Sequence, residues 1–492
     1  MNRGLRIGLI VVVVLALAYP AAAWIIGISV QHQVLEREKA ALAQAPYLNV
    51  VNRDYHRGIY SSTEEATYQF GGNLLKNLPG GNGQLQFTVR NHIHHGPLPQ
   101  LRAFAPATVD SEIVLPPEVE QKLKQILGDQ AHLTIHSQLK WSGGATSVVH
   151  STPFKSNIPN VGTFEWRGLD GTGEVGREIG AQAGQFTAPG LIANTPQGNF
   201  KIEDLKANTD LHLAFEDLTV GKISFSVGHA ALESSVPPDF KLDSRNFSIE
   251  ANSSVTGDFI NTDATVSIDS VESAKFSATQ LVWEVRMDHI HGPSMAGLNK
   301  ELMAAQAEQM KAAAPSDPND PAAAQRQAEL AQKYVAAFQT YGLPILGHEP
   351  VIELPRVGFK TADGDVMLSM KLEAPGITPA DVSGDPKTLA LTLPKFLQAT
   401  INARIDNTLL DKLTQQAVSD PDALSQTKAR LQQLQDQGYV KVDGKALTTQ
   451  ITFMNGQLKI NGLPFTPAAL APPQQPQHAP PVRKPPAKRV PR

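Results

Sequence analysis

Cysteine is absent from the chain. That excludes disulfides, zinc–thiolate centres and thiol chemistry together, and it is compatible with an oxidising compartment. Charge is also scarce: charged residues make up 18 % of the chain and the formal net charge is −4, so no global field favours nucleic acid or an acidic polymer. No glycine–lysine–Ser/Thr phosphate loop occurs, since Gly221-Lys222 runs into Ile223, and nucleotide hydrolysis has no support. Gly171-x-Gly173-x-x-Gly176 has the spacing of a dinucleotide fingerprint but lacks an amphipathic helix after it, so it reads as a flexible loop. Ser61 and Ser62 have no adjacent base in sequence. No carboxylate pair stands out among the scattered acidic residues, and no cofactor is expected.

What is present begins with a 24-residue run without charge, Ile7 to Val30. About 20 apolar residues of helix cross the roughly 30 Å of bilayer hydrocarbon. Arg3 and Arg6 precede the run and the mixed-sign segment Glu36-Arg37-Glu38-Lys39 follows it. The positive-inside rule therefore keeps the amino terminus cytoplasmic and exports the remainder. Ala21-Ala22-Ala23 offers an alternative cleavage site, but the apolar sequence continues through Trp24-Ile25-Ile26, so an uncleaved anchor is the preferred reading.

Beyond Leu48 the dominant pattern has period two: Leu211, Leu213 and Phe215; Ile223, Phe225 and Val227; Val366, Leu368, Met370 and Leu372. Such strands bury one face. Asp363-Gly364 and Asn455-Gly456 read as two-residue hairpin turns. Helical pattern is confined to Glu118–Leu127, Leu298–Phe338 with a PSDPNDP interruption at 315–321, and Leu393 to about Gln437. The expected fold class is α+β and β-rich: an N-terminal transmembrane helix followed by antiparallel meandering β-sheets with interspersed helices. The expected units are the start and anchor (1–35), a first β-rich unit (36–200), a second with a helical insert at 298–340 (201–385), a helical segment with a hairpin (386–466), and a disordered, basic, proline-rich tail (467–492).

Two stretches match without a gap at seven of fourteen positions, QLQFTVRNHIHHGP (84–97) and QLVWEVRMDHIHGP (280–293). In that register His95 faces His291, and the two His-Ile-His triplets are one residue out of step. A slip of one residue turns a strand side chain to the other face. The repeat therefore preserves a structural turn, His95-Gly96-Pro97 and His291-Gly292-Pro293, in which each histidine closes an apolar face if no bulge intervenes. The competing reading is a metal site: His92 with His94, or His289 with His291, have the i, i+2 spacing that offers two imidazoles from one strand. No third ligand is identifiable, so no metal is expected at either pair.

The anchor, YHRGIYSSTEEATY (55–68), HHGPLP (94–99) and GYVKVDGKALTTQITFMNGQLKINGLPF (438–465) together resemble the YdgA-like proteins of Gram-negative bacteria. Ala446-Leu447 departs from that pattern, where an aromatic is expected. The resemblance implies a single-pass inner-membrane protein with its bulk in the periplasm, and it carries no catalytic residues to transfer. The expected function is a non-catalytic, membrane-tethered scaffold in envelope maintenance that binds an apolar ligand, a lipid or a protein partner, and no nucleic acid. The alternatives are a scaffold that self-associates as a homo-oligomer through 298–340, and a metal-dependent envelope hydrolase built on the histidines.

Overall fold

A computed structural model describes residues 3–45, 48–71, 84–117, 120–121, 124, 133–177, 180–216, 218–236, 240–274, 276–312, 321–384, 386–418 and 420–465, with the side chains of the first helix described from Ala18 onward except those of Ala40, Ala43 and Gln44. The expected helix at Glu118–Leu127 falls largely outside these residues, and the basic tail falls outside them altogether.

The described strands form one 22-stranded sheet. Its first part comprises β1 (Leu48–Arg57), β2 (Ser61–Gly71), β3 (Gln84–His95), β4 (Ala107–Val114), β5 (Leu133–Leu139) and β6 (Ala145–Ser151). The short pair β7 (Phe154–Ile158) and β8 (Gly162–Trp166) precedes β9 (Leu169–Val175). Five long strands follow: β10 (Gln182–Thr195), β11 (Gly198–Phe215), β12 (Leu218–Ser234), β13 (Phe240–Thr256) and β14 (Phe259–Ser273). The carboxyl-terminal part contains β15 (Ser277–His291), β16 (Val351–Thr361), β17 (Gly364–Glu373), β18 (Gln398–Asp406), β19 (Lys441–Asp443), β20 (Ala446–Met454), β21 (Gln457–Ile460) and β22 (Leu463–Pro464).

Every pairing is antiparallel and nearly all join chain neighbours. The β7–β8 hairpin is looped out, so β6 pairs with β9 while β8 lies beside β10. The sheet runs unbroken through Phe200 and Lys201, which lie inside β11.

Helices lie on this sheet at separate places. The first, α1, spans Arg3–Gln44; α2 spans Gly292–Ala312 and α3 Pro321–Ala337, followed by a π-helical turn at Phe338–Gly342 and α4 at Leu343–Leu346. Near the carboxyl end come α5 (Pro386–Phe396), α6 (Asn407–Ala417) and α7 (Pro421–Asp436). The stretch read as helical from Leu393 to Gln437 is thus corrected: β18 interrupts it near its start. Ala399, Ile401, Ala403 and Ile405 alternate there with polar residues, and this period-two pattern pairs with β17 and β20.

Among the described residues three small cores result. Val30 of α1 packs with Ile93, Ala107, Val109 and Leu139. Val220, Ile260 and Ile290 form the second under the α2–α4 helices, with Met295 and Ile345 against them. Ala374, Ile377, Val382 and Leu389 form the third.

The first core changes the reading of the amino-terminal run. From Ala23 onward one side of α1 is committed to protein: Ala23 and Val30 are fully buried, and Gly27 lies against the ring of His95. Further on, Arg37 donates to the carbonyls of Gly143 and Gly176, and Arg53 pairs with Glu38. A single bilayer span over Ile7–Val30 is therefore corrected at its carboxyl end. Among the described residues no helix is long and apolar enough to cross a membrane.

Candidate functional site

In the first histidine turn, strand alternation sends Ile93 and His95 to the face under α1, while His92 is exposed and His94 is half-buried on the other face. His95 is 1 % exposed. Its Nδ1 lies 3.0 Å from the carbonyl of Ala23, an acceptor only, so Nδ1 carries the proton. Nε2 is then the acceptor for the hydroxyl of Ser62, 3.0 Å away. One imidazole thus ties helix α1, strand β2 and strand β3 together. Gly96 follows at φ +137, a region that favours glycine, with Ala23 and Tyr19 against it, and the Tyr19 hydroxyl donates to the Leu98 carbonyl at 2.7 Å.

Ser62 had no base in sequence, yet the fold supplies His95 at the distance of a nucleophile–base pair. Both groups are sealed: Ser62 is 3 % exposed, and α1 covers them. A reacting carbonyl has no approach, so the pair's evident work is to hold the helix. Two small residues at i, i+4, Ala23 and Gly27, are the sequence signal that could have revealed this helix contact. Glu64, 2 % exposed, lies on the same inward face; it accepts from Asn91 Nδ2 at 3.0 Å, with the Arg53 guanidinium 3.5 Å away.

Burial pushes the His95 imidazole below its ordinary value, the bonds to backbone opposing this in part. Between that lowered value and about 6.5 the unfolded chain carries a proton that the folded chain does not, so this contribution makes stability fall as pH falls. The slope approaches about 1.4 kcal/mol per pH unit for one histidine. Thermal midpoints measured from pH 7.5 to 5.5 should decline less in His95→Gln than in the parent, and equal declines would contradict the assignment.

The second turn is built differently. A bulge interrupts the β14–β15 register between Ile260 and Thr262, and His289 there has φ +61. The extra residue turns Ile290 inward opposite Ile260. Parity therefore does not run unbroken from Met287 to His291, and the bulge brings the triplets His92-Ile93-His94 and His289-Ile290-His291 into structural step around their inward isoleucines. His291 is half-buried; its Nδ1 lies 2.7 Å from the Ser294 hydroxyl and its ring stacks on His348 at 4.0 Å. Burial, with His348 nearby, lowers its pKa. His289 stacks on Phe259 at 3.8 Å. Gly292 opens α2, and the Phe215 ring occupies the space a side chain there would need.

His92 lies beside Asp110 in register, and Asp110 is already bonded to His136 at 2.7 Å. Among the described residues no group of three His, Asp or Glu is arranged to hold a metal ion. The glycine fingerprint is likewise corrected. Gly171 and Gly173 lie in β9, not in a loop, and Gly171 leaves room for the Phe186 ring from β10.

Between the helical cores, consecutive registers place Phe186, Ala207, Phe225, Ile249, Val266 and Trp283 on one face of five successive pairings. The row continues through Val357 and Leu368. It is the face that α1 covers farther back along the meander, since the same registers lead through Gly171, Val149, Ile135 and Ser111 to the inward side of β3. The opposite face is polar, with Asn208 bonded to Ser224, Ser248 to Ser267 and Arg286 to Asp263. The sheet is thus one-sided as its sequence implies, yet Ile223 and Trp283 on its apolar side remain 41 % and 54 % exposed.

A family model described as "Bacterial protein of unknown function (DUF945)" matches residues 1–468. No curated protein and no solved structure matches the chain.

Proposed function

From a chain that belongs to this bacterial family, DUF945, we propose a membrane-tethered, non-catalytic scaffold that holds the acyl chains of a lipid against the uncovered apolar face of its sheet. The observation that carries this reading is that face itself. Its aromatic and branched side chains are aligned across the long strands, and among the described residues no helix core lies over Phe225, Ile249 or Val266. Each buried methylene is worth about 0.8 kcal/mol, so an acyl chain laid on such a row gains several kcal/mol without a directional contact. Exposed apolar surface of this extent is a liability in water unless something occupies it. The tether is the apolar sequence before Tyr19, with Arg3 and Arg6 on its cytoplasmic side. That address agrees with the resemblance to YdgA-like inner-membrane proteins, with the body in the periplasm.

Photo-crosslinking tests the ligand. A benzophenone amino acid in place of Phe225 should become attached to lipid in cells, giving a lipid-sized mass increment on the intact chain, whereas the same probe at Ser224 on the polar face should not. Attachment to a protein at Phe225, or equal labelling at both positions, would overturn the lipid assignment. The former would favour the scaffold that self-associates or binds a protein, for which Val335 and Phe338, at 57 % and 51 % exposed beside α2, are the surface to examine.

A further inference from the structure

The tether has a length problem whose solution lies in the loops beside it. Ile7 to Ala18 is 12 residues, which as helix spans ~18 Å of the roughly 30 Å of hydrocarbon. The next two turns of α1, from Tyr19, must supply the rest, but there one side of the helix already belongs to the body. Its other side is still apolar: Trp24, Ile25 and Ile28 are 48 %, 61 % and 41 % exposed. A helix half packed on protein and half suited to lipid fixes the depth of whatever it is packed against.

What it is packed against is one edge of the first sheet segment. In an antiparallel meander alternate connections fall at the same end, so the β1–β2 loop and the β3–β4 loop lie side by side, and the His95 amide bonds the Tyr60 carbonyl between them. Tyr19 touches both loops: its ring stacks on Tyr60 at 6.0 Å and its hydroxyl donates to Leu98. These loops carry large apolar side chains turned to solvent. Ile59 and Tyr60 are 51 % and 49 % exposed, Leu98 41 %, Leu101 81 % and Phe104 73 %. Leu101 and the preceding Gln100 both have positive φ, 59 and 53, a conformation costly to a branched side chain. Arg57, its guanidinium 5.5 Å from the centre of the Trp24 ring, and the exposed Arg102 border the same loops.

We infer that this edge is a collar embedded in the bilayer interface: Ile59, Tyr60, Leu98, Leu101 and Phe104 enter the headgroup–acyl boundary around α1, and Arg57 and Arg102 meet lipid phosphates. Aromatic and branched residues at a helix's point of exit, with arginines beside them, are what an interface selects. The collar lets a tether too short by itself reach across, because the body sinks to meet it. It rests on the tether proposed above and is independent of the ligand on the sheet.

The absence of cysteine makes the test direct. Full-length Leu101→Cys and Ser224→Cys variants, each labelled with an environment-sensitive fluorophore, would be reconstituted in phosphatidylethanolamine–phosphatidylglycerol vesicles with and without doxyl-labelled lipid. The expected result is flotation of both proteins with the vesicles, with doxyl quenching at least threefold greater at position 101 than at 224. Flotation with equal quenching at the two positions overturns the collar and leaves the tether standing. Failure of both proteins to float overturns the collar together with the tether on which it rests.

Discussion

Gly27→Leu is expected to be the most damaging single substitution in the amino-terminal half, lowering unfolding free energy by about 3–5 kcal/mol despite leucine's better helix propensity. A β-carbon at Gly27 would stand 2.6 Å from Cε1 of His95 and 2.8 Å from Nδ1. The ring cannot swing aside, because Ser62 holds it on one edge and the Ala23 carbonyl on the other. The helix must move instead, which breaks both bonds in a buried setting and loosens the packing of Val30 on Ile93. Denaturant titration of four proteins would check this: the parent, Gly27→Leu, His95→Ala and the double variant. Removing the ring makes room for the leucine, so the double variant should be less destabilised than the sum of the single changes by at least about 1 kcal/mol. Strict additivity would mean that the two residues do not share this contact. His92→Ala, at an exposed position of the opposite face, should stay within about 0.5 kcal/mol of the parent.

A still larger effect is expected from deleting residues 1–44. The inward faces of β3, β4 and β5 would then expose Ile93, Ala107, Val109 and Leu139 to water, and Arg53, which lies 3.5 Å from the buried Glu64, would lose its partner Glu38. The shortened chain should be insoluble or proteolysed within its first sheet segment, read by limited proteolysis and mass mapping. A stable, protease-resistant product would show that α1 is only an attachment. The same reasoning predicts the amino terminus of the mature protein: cleavage after Ala23 would sever the chain at the carbonyl that His95 holds, so intact-mass measurement should find residues before Ala21 retained.

The long strands were legible where their alternation is uninterrupted. Ile223, Phe225 and Val227 need one face, and the registers on both sides align it, whereas a bulge between Leu213 and Phe215 parts Phe215 from Leu211 and Leu213. The Asn455-Gly456 turn was legible for a chemical reason: both residues have positive φ, 53 and 72, as a two-residue turn of that type requires. The other hairpin turns one residue earlier than Asp363-Gly364 implies, since Thr361 pairs with Gly364 and the turn residues are Ala362 and Asp363. What escaped the sequence reading depends on contacts distant along the chain. Nothing local to Ser62 announces His95, nothing local to Ile7–Val30 tells which side of the helix will find a sheet, and the bulge at His289 is set by the strand beside it. Gly171 misled because a glycine that makes room for a ring and a glycine that frees a loop look alike in sequence.

The order of strands has a consequence for how the chain comes to be folded. From β10 to β18 each strand pairs with the one synthesised just before it, and short connections or helical excursions intervene. Contacts local in sequence close cheaply and quickly. A chain emerging amino end first can therefore be completed by accretion, each arriving segment docking onto an edge that already exists. At every intermediate length that growing edge is the one open ladder of hydrogen bonds in this part of the sheet, and it is also the place where a second, unfinished copy would add most readily.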